Sequence, residues 1–326
     1  MENKETVLEI KNLCVEFNSE NKVLKAVNGV DLNLKKGETL GLVGETGAGK
    51  TTTALGIMGL VPEPQGKITA GEINYLGEDL LKKSENSMES IRGKEISMIF
   101  QDPMTALNPV MTVGDQIAEV IQLHEKKNHK EAFEEAKKMM YEVGLDGERA
   151  KDYPHQFSGG MKQRIVIAIA IACMPNILLA DEPTTALDVT IQDQVLALVR
   201  EQIKKLNSSM ILITHDLGVV AENCDHVAIM YAGEIVEDGE LEQIYDQTSH
   251  PYTLGLFNSL PTFNEKGGRL KPIPGHTPDP TQLPIGCAFA ERCPKAQERC
   301  YKNHPNLKTV GNNHFVRCFY PVVEEE

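Results

Sequence analysis

The chain has 326 residues, 41% of them apolar, and a formal net charge of -14. That length admits one large domain and a smaller one, with an apolar share that fills a globular core. The acidic balance argues against a binder of duplex nucleic acid, which needs a basic face. No apolar run approaches the ~18 residues of a bilayer span, and the polar, acidic start MENKETVLEI is no secretory signal, so a cytosolic protein is expected.

Residues Val7 to Phe17 alternate between apolar and polar, as a half-buried strand does, and Val30 to Leu34 repeat the pattern. Lys35 to Glu38 form a turn into the apolar run Thr39 to Val43, which reads as a buried strand. The next eight residues, Gly44-Glu45-Thr46-Gly47-Ala48-Gly49-Lys50-Thr51, fit G-x-x-x-x-G-K-[ST] without a mismatch. The residue types follow from anion chemistry. Glycines turn the backbone through positive φ and bring N–H groups close to phosphate oxygens. A helix starting at Lys50 points its positive dipole end at the same anion. The expected nucleotide contacts are Gly44, Thr46, Gly47, Ala48, Gly49, Lys50, Thr51 and Thr52. Lys50 places a charge between the β- and γ-phosphates, and Thr51 offers a hydroxyl to Mg²⁺. Phe17, shortly before this segment, is read as an adenine-stacking ring, against the alternative that it packs in a β-layer.

Ile68 to Leu76 and Glu95 to Phe100 add strands, so an antiparallel β-layer is expected beside the nucleotide site. Gln101 follows a strand end. Helical periodicity then marks Val113 to His124 and Lys130 to Val143, and the stretch from Asp102 to Gln163 reads as a helical insertion. Ser158-Gly159-Gly160 opens a further helix with an N-capping serine and two glycines, which again suits close approach to phosphate. Its continuation, IVIAIAIAC, is apolar throughout and therefore buried.

Ile177 to Ala180 read as a parallel strand buried on both faces, ending in Asp181-Glu182. Ligands bind at such carboxyl edges. Asp181 suits Mg²⁺, and Glu182 suits a base that orients an attacking water. Thr185 to Asp188 follow, then a helix from Ile191 to Leu206 and a buried strand Met210 to Thr214 that delivers His215 as a γ-phosphate contact. Val227 to Glu237 read as a hairpin turning at Ala232-Gly233.

Taken in order, the phosphate loop, Gln101, Ser158–Gly160, Asp181-Glu182, Ala186-Leu187-Asp188 and His215 resemble the ATP-binding subunit of an ABC transporter over about residues 6 to 240. The resemblance implies an α/β fold, with a RecA-like parallel-sheet core, an antiparallel β-layer and a helical subdomain at about 102–163. It also implies a head-to-tail dimer with an identical or homologous subunit. In that dimer Ser158, Gly159 and Gly160 meet the partner's ATP, Asp188 is a further nucleotide-binding residue, Gln101 senses Mg²⁺ and the lytic water, Glu182 is the base and His215 holds the γ-phosphate. Two departures are mild: the signature reads FSGGM, and Thr185 stands where serine is commoner. Neither removes a required group.

The segments FQDPMTALNP (Phe100 to Pro109), SGGM and His250-Pro251-Tyr252-Thr253 resemble dipeptide and oligopeptide importers. The implied partners are two membrane permease subunits and, indirectly, an extracellular substrate-binding protein, with no nucleic acid. The implied location is peripheral, at the cytoplasmic face of the membrane. Nickel uptake is an alternative cargo, and a soluble ABC ATPase acting on nucleic acid or the ribosome is an alternative of another class.

The expected boundary lies at 248/249, where a Pro- and Cys-rich extension, 249–326, replaces the ATPase domain, 1–248. Cys287, Cys293, Cys300 and Cys318 fall in it. A short tail with little core is a natural place for a metal staple. A [4Fe–4S] cluster is the leading expectation, with Zn²⁺ and plain thiols as alternatives.

Overall fold

A computed structural model describes residues 5–19, 22–184, 189–259 and 272–322. The chain begins with strands β1 (Thr6–Ser19), β2 (Lys22–Lys35) and β3 (Thr39–Val43), helix α1 (Lys50–Met58), and strands β4 (Gly66–Tyr75) and β5 (Glu78–Asp79). Its middle carries α2 (Glu85–Ile91), β6 (Ile96–Ile99), α3 (Pro103–Ala106), α4 (Val113–Glu125), α5 (His129–Glu142), α6 (Gly159–Ile171), β7 (Ile177–Asp181), α7 (Val189–Leu206) and β8 (Ser209–Thr214). The last third adds α8 (Leu217–Asn223), β9 (His226–Tyr231), β10 (Glu234–Glu240), α9 (Leu241–Asp246), α10 (Pro251–Asn258), α11 (Glu298–Lys302), β11 (Lys308–Gly311) and β12 (His314–Val316). No described helix is long and apolar enough to cross a membrane.

These elements form two compact units. In the unit built on residues 34–39 and 82–213, β6, β7 and β8 run parallel, with Ile96 opposite Ile177 and Leu178 opposite Met210. Every residue of the three strands is buried, which explains why β7 and β8 read as largely apolar runs; β6, expected in the antiparallel layer, lies in this parallel set instead. Helices α4 and α5 are amphipathic instead. Ala132, Ala136 and Met140 recur every fourth position on the buried face of α5. Its start is fixed by a capping box, in which the Asn128 side chain accepts from the Glu131 N–H and the Glu131 carboxylate accepts from the Asn128 N–H.

The second unit takes residues 7–33, 40–81 and the chain from 214 on. It holds a sheet in the order β2-β1-β4-β5, in which β1 lies antiparallel to β4 and Phe17 sits opposite Gly66. A second set runs β11-β12-β10-β9-β3. There β3 and β9 are parallel, and β9 and β10 form a hairpin whose turn residues, Ala232 and Gly233, both adopt positive φ (48° and 85°).

The expected metal staple in the tail is corrected by the structure. Among the described residues no group of three or more Cys, His, Asp or Glu side chains is placed to hold a metal ion. Cys287, Cys293, Cys300 and Cys318 line one apolar cavity with Phe289 and Phe319. Burial raises the Cys287 thiol to about 12 and pushes Cys293 and Cys318 upward too. The tail is held by other means. Strand β12 extends the sheet by pairing with β10, and Arg317 Nε donates to the Ile235 carbonyl at 2.9 Å. Beneath them the Glu237 carboxylate, fully buried, accepts from the N–H groups of Ser249 (2.6 Å) and His250 (3.0 Å) and pairs with the His314 ring at 2.9 Å.

Candidate active site

The phosphate loop links β3 to α1, and its glycines are set by geometry. Gly47 and Gly49 have φ of 82° and 106°, which side chains rarely tolerate. A Cβ on Gly44 would stand 2.2 Å from the Met230 carbonyl oxygen, and one on Gly49 2.4 Å from that of Ala26. The first turn of α1 holds no acidic residue to oppose its dipole. Lys50 is buried, and its Nζ donates to the carbonyls of Gly44 (2.7 Å) and Glu45 (3.1 Å). The ammonium therefore sits against the start of the loop. Ala48 and Thr52 lie in the same curl and first turn; Thr46 and Thr51 are exposed to solvent. Phe17 is half-buried, and its ring edge covers Gly66, where a Cβ would meet it at 2.7 Å.

In the other unit, β7 ends on Asp181, which is buried, and Glu182, which is half-buried. Glu182 has φ of 44°, a strained value for a glutamate, while its N–H donates to the Ile213 carbonyl at 2.9 Å. The strain accompanies a side-chain contact across 81 positions: Gln101 Nε2 donates to Glu182 Oε2 at 2.8 Å. The two residues assigned to the attacking water thus touch each other. Ser158 and Gly159 are exposed at the start of α6, where the Ser158 hydroxyl accepts from the Met161 N–H at 3.4 Å, and the space around Gly159 is open. His215 is exposed just beyond the end of β8. Thr185 to Asp188 lie outside the described residues.

The ABC transporter family matches residues 27–185. Curated relatives match nearly end to end. An oligopeptide transport ATP-binding protein, AppD of Bacillus subtilis, is 49% identical over 98% of both chains. A dipeptide transport ATP-binding protein, DppD of the same organism, is 50% identical over 97% of this chain and 95% of its own. The chain belongs to the ABC transporter family, as an ATP-binding subunit of the oligopeptide/dipeptide type. OppD of Salmonella typhimurium, 45% identical over 98% of this chain and 95% of its own, extends the set to a second genus. The fold agrees. A dimeric ATP-binding cassette in a post-hydrolysis state, bound to ADP and phosphate, superposes with a TM-score of 0.65 at 26% identity, covering 72% of this chain and 98% of that one. A second family region, the oligopeptide/dipeptide transporter C-terminal region, matches residues 236–300.

Two residues of that ABC-subunit region, Tyr252 and Arg292, reach Glu45 of the phosphate loop and were not assigned from sequence. The segment His250 to Thr253 carries a family resemblance, but no local pattern tells which loop its tyrosine touches.

Proposed function

We propose that this chain hydrolyses ATP to power import of di- and oligopeptides through separate membrane permease subunits. The observation that carries the reading is the phosphate loop itself: positive-φ glycines, an undistracted helix N-terminus and a buried Lys50 curled into it. The relatives' names supply the cargo and favour peptides over nickel, and over nucleic acid or the ribosome. The permease partners follow from the same names.

In this reading, the loop N–H groups and Lys50 bind the β- and γ-phosphates. Thr51, Gln101 and Asp181 are hard oxygen donors of the kind Mg²⁺ takes, and the bound ion offsets charge on the phosphates. Glu182 accepts a proton from the attacking water, and the Gln101 amide, already hydrogen-bonded to that carboxylate, orients it. His215 contacts the γ-phosphate. Ser158 to Gly160 of a second subunit, identical or homologous, close over the nucleotide; the exposure of Ser158 and Gly159 and the open space at Gly159 suit that role. Asp188 and Phe17 complete the proposed nucleotide contacts, Phe17 at adenine. Two permease subunits and a substrate-binding protein outside the membrane complete the proposed assembly, in which this subunit sits at the inner membrane face. The domain reading is 1–248 for the ATPase, with its helical part at 102–163, and 249–326 for the extension.

Glu182→Gln tests the reading. The amide keeps the shape and can still meet Gln101, but takes no proton. MgATP should bind as in the wild type, while turnover in the assembled transporter should fall by about 10² or more. Wild-type turnover would remove Glu182 from its role.

A further inference from the structure

The phosphate loop is gripped from outside. Glu45, the second residue of the motif, donates its backbone N–H to the Tyr252 hydroxyl at 3.0 Å. Its carboxylate receives both arms of the Arg292 guanidinium, Nη1 to Oε2 at 2.7 Å and Nη2 to Oε1 at 3.0 Å. Arg292 is itself immobilised. Its Nε donates to the Pro274 carbonyl at 3.0 Å, and Nη1 also reaches the Tyr231 hydroxyl at 3.3 Å. The guanidinium lies 5.7 Å from the centre of the Tyr231 ring and 5.9 Å from that of Phe289. Tyr231, Tyr252 and Phe289 pack on one another, with centroids 4.6, 5.3 and 5.4 Å apart. The Arg292 side chain is 6% exposed and that of Glu45 29%, so this is a bidentate fork buried on its arginine side and open in part to water at Glu45.

We propose that Tyr252 and Arg292 are positioning residues through which the C-terminal region sets the nucleotide affinity of the phosphate loop. The proposal rests on the reading of that loop as the ATP site. Two physical effects carry it. Glu45 puts a full negative charge in a loop whose ligand is a polyanion, and Arg292 neutralises that charge at hydrogen-bond distance. Tyr252 fixes the peptide on the N-terminal side of Glu45, while the carbonyl on the other side accepts from Lys50 Nζ. One residue thus connects the tail to the phosphate-binding lysine. Tyr252 and Arg292 both lie inside 236–300, the family region beyond the ABC match. The contact gives that region a task at the nucleotide site.

The test titrates the full chain with a fluorescent ATP analogue and Mg²⁺. Wild type and Lys50→Ala come first, because binding by the former and not the latter establishes the ATP site independently of this proposal. Arg292→Ala exposes the Glu45 carboxylate and should weaken binding about tenfold, equivalent to about 1.4 kcal/mol. Adding Glu45→Gln removes the exposed charge, so the double variant should bind better than Arg292→Ala alone, within about threefold of Glu45→Gln. A purely structural role predicts no such rescue. Arg292→Ala binding within about twofold of wild type overturns the proposal, and so does a double variant as weak as Arg292→Ala. Should Arg292→Ala fail to fold, Arg292→Gln carries the same comparison. It removes the charge and keeps a polar side chain, so a several-fold loss relieved by Glu45→Gln supports the proposal, and no loss overturns it.

Discussion

Gly49 stands at φ 106°, with the Ala26 carbonyl oxygen 2.4 Å from where a Cβ would be. Gly47 has nearly as unusual a φ, 82°, but nothing lies within 4 Å of its would-be Cβ. The pair separates two costs that the motif pattern merges. Gly47→Ala pays strain alone, about 1 kcal/mol, whereas Gly49→Ala adds a clash with backbone that cannot swing away, and should cost about 3 kcal/mol or more. Urea unfolding of the two variants checks this; equal costs would mean that the approach of β2 to the loop is not what requires glycine at 49. Glu182 is the opposite case. Its positive φ has no glycine to relieve it, and the strain coincides with the carboxylate that Gln101 meets. Composition and spacing pick out Glu182 by its place after an apolar strand, and say nothing of its backbone.

At the scale of elements, α10 has an unusual start. His250 is its N-cap: Nδ1 accepts from the Tyr252 N–H at 3.0 Å, which requires an unprotonated nitrogen. Burial lowers the His250 pKa from 6.5 to about 4; the Glu237 carboxylate and a hydrogen bond with the Arg317 backbone pull it up, and the Arg317 charge pulls it down. The fold therefore prefers the neutral ring, whereas the unfolded chain takes up a proton near 6.5. Stability from this group is full above about pH 6.5 and falls as pH drops towards about 4, by up to about 1.4 kcal/mol per pH unit. His250→Asn keeps a capping side chain and removes the titration, so the difference in urea midpoint between pH 7 and pH 5 should shrink. An unchanged difference would place the acid sensitivity elsewhere. The same helix brings Tyr252 to the phosphate loop, so a local cap and a remote contact share one turn of chain.

Across the whole molecule, legibility follows sequence distance. β3, β7 and β8 and helices α4 and α5 announce themselves because burial on both faces, or on one face, leaves a local pattern; β6, expected in the antiparallel layer, pairs in parallel with β7 instead. The hairpin turning at Ala232-Gly233 does the same. The tail does not. β11 and β12 are four and three residues long, too short for any period, and α11 covers only Glu298–Lys302. Cysteine spacing invited a metal, but spacing does not report how thiols sit in an apolar cavity. One of the groups that hold the tail is an acid that reads as an ordinary strand residue. Glu237 is fully buried, and its two oxygens take the N–H groups of Ser249 and His250 and meet the His314 ring, joining β10 to the start of α10 and to β12. Glu237→Gln leaves one acceptor oxygen and turns an NH₂ towards groups that donate. It should destabilise the protein by about 2–4 kcal/mol, more than loss of one hydrogen bond, because buried donors are left unsatisfied. Calorimetry should show a lower midpoint, and limited proteolysis should cut first beyond Ser249. A variant that melts with the wild type and resists the protease equally would show that the β10–β12 ladder and the aromatic packing around Tyr252 hold the tail without Glu237.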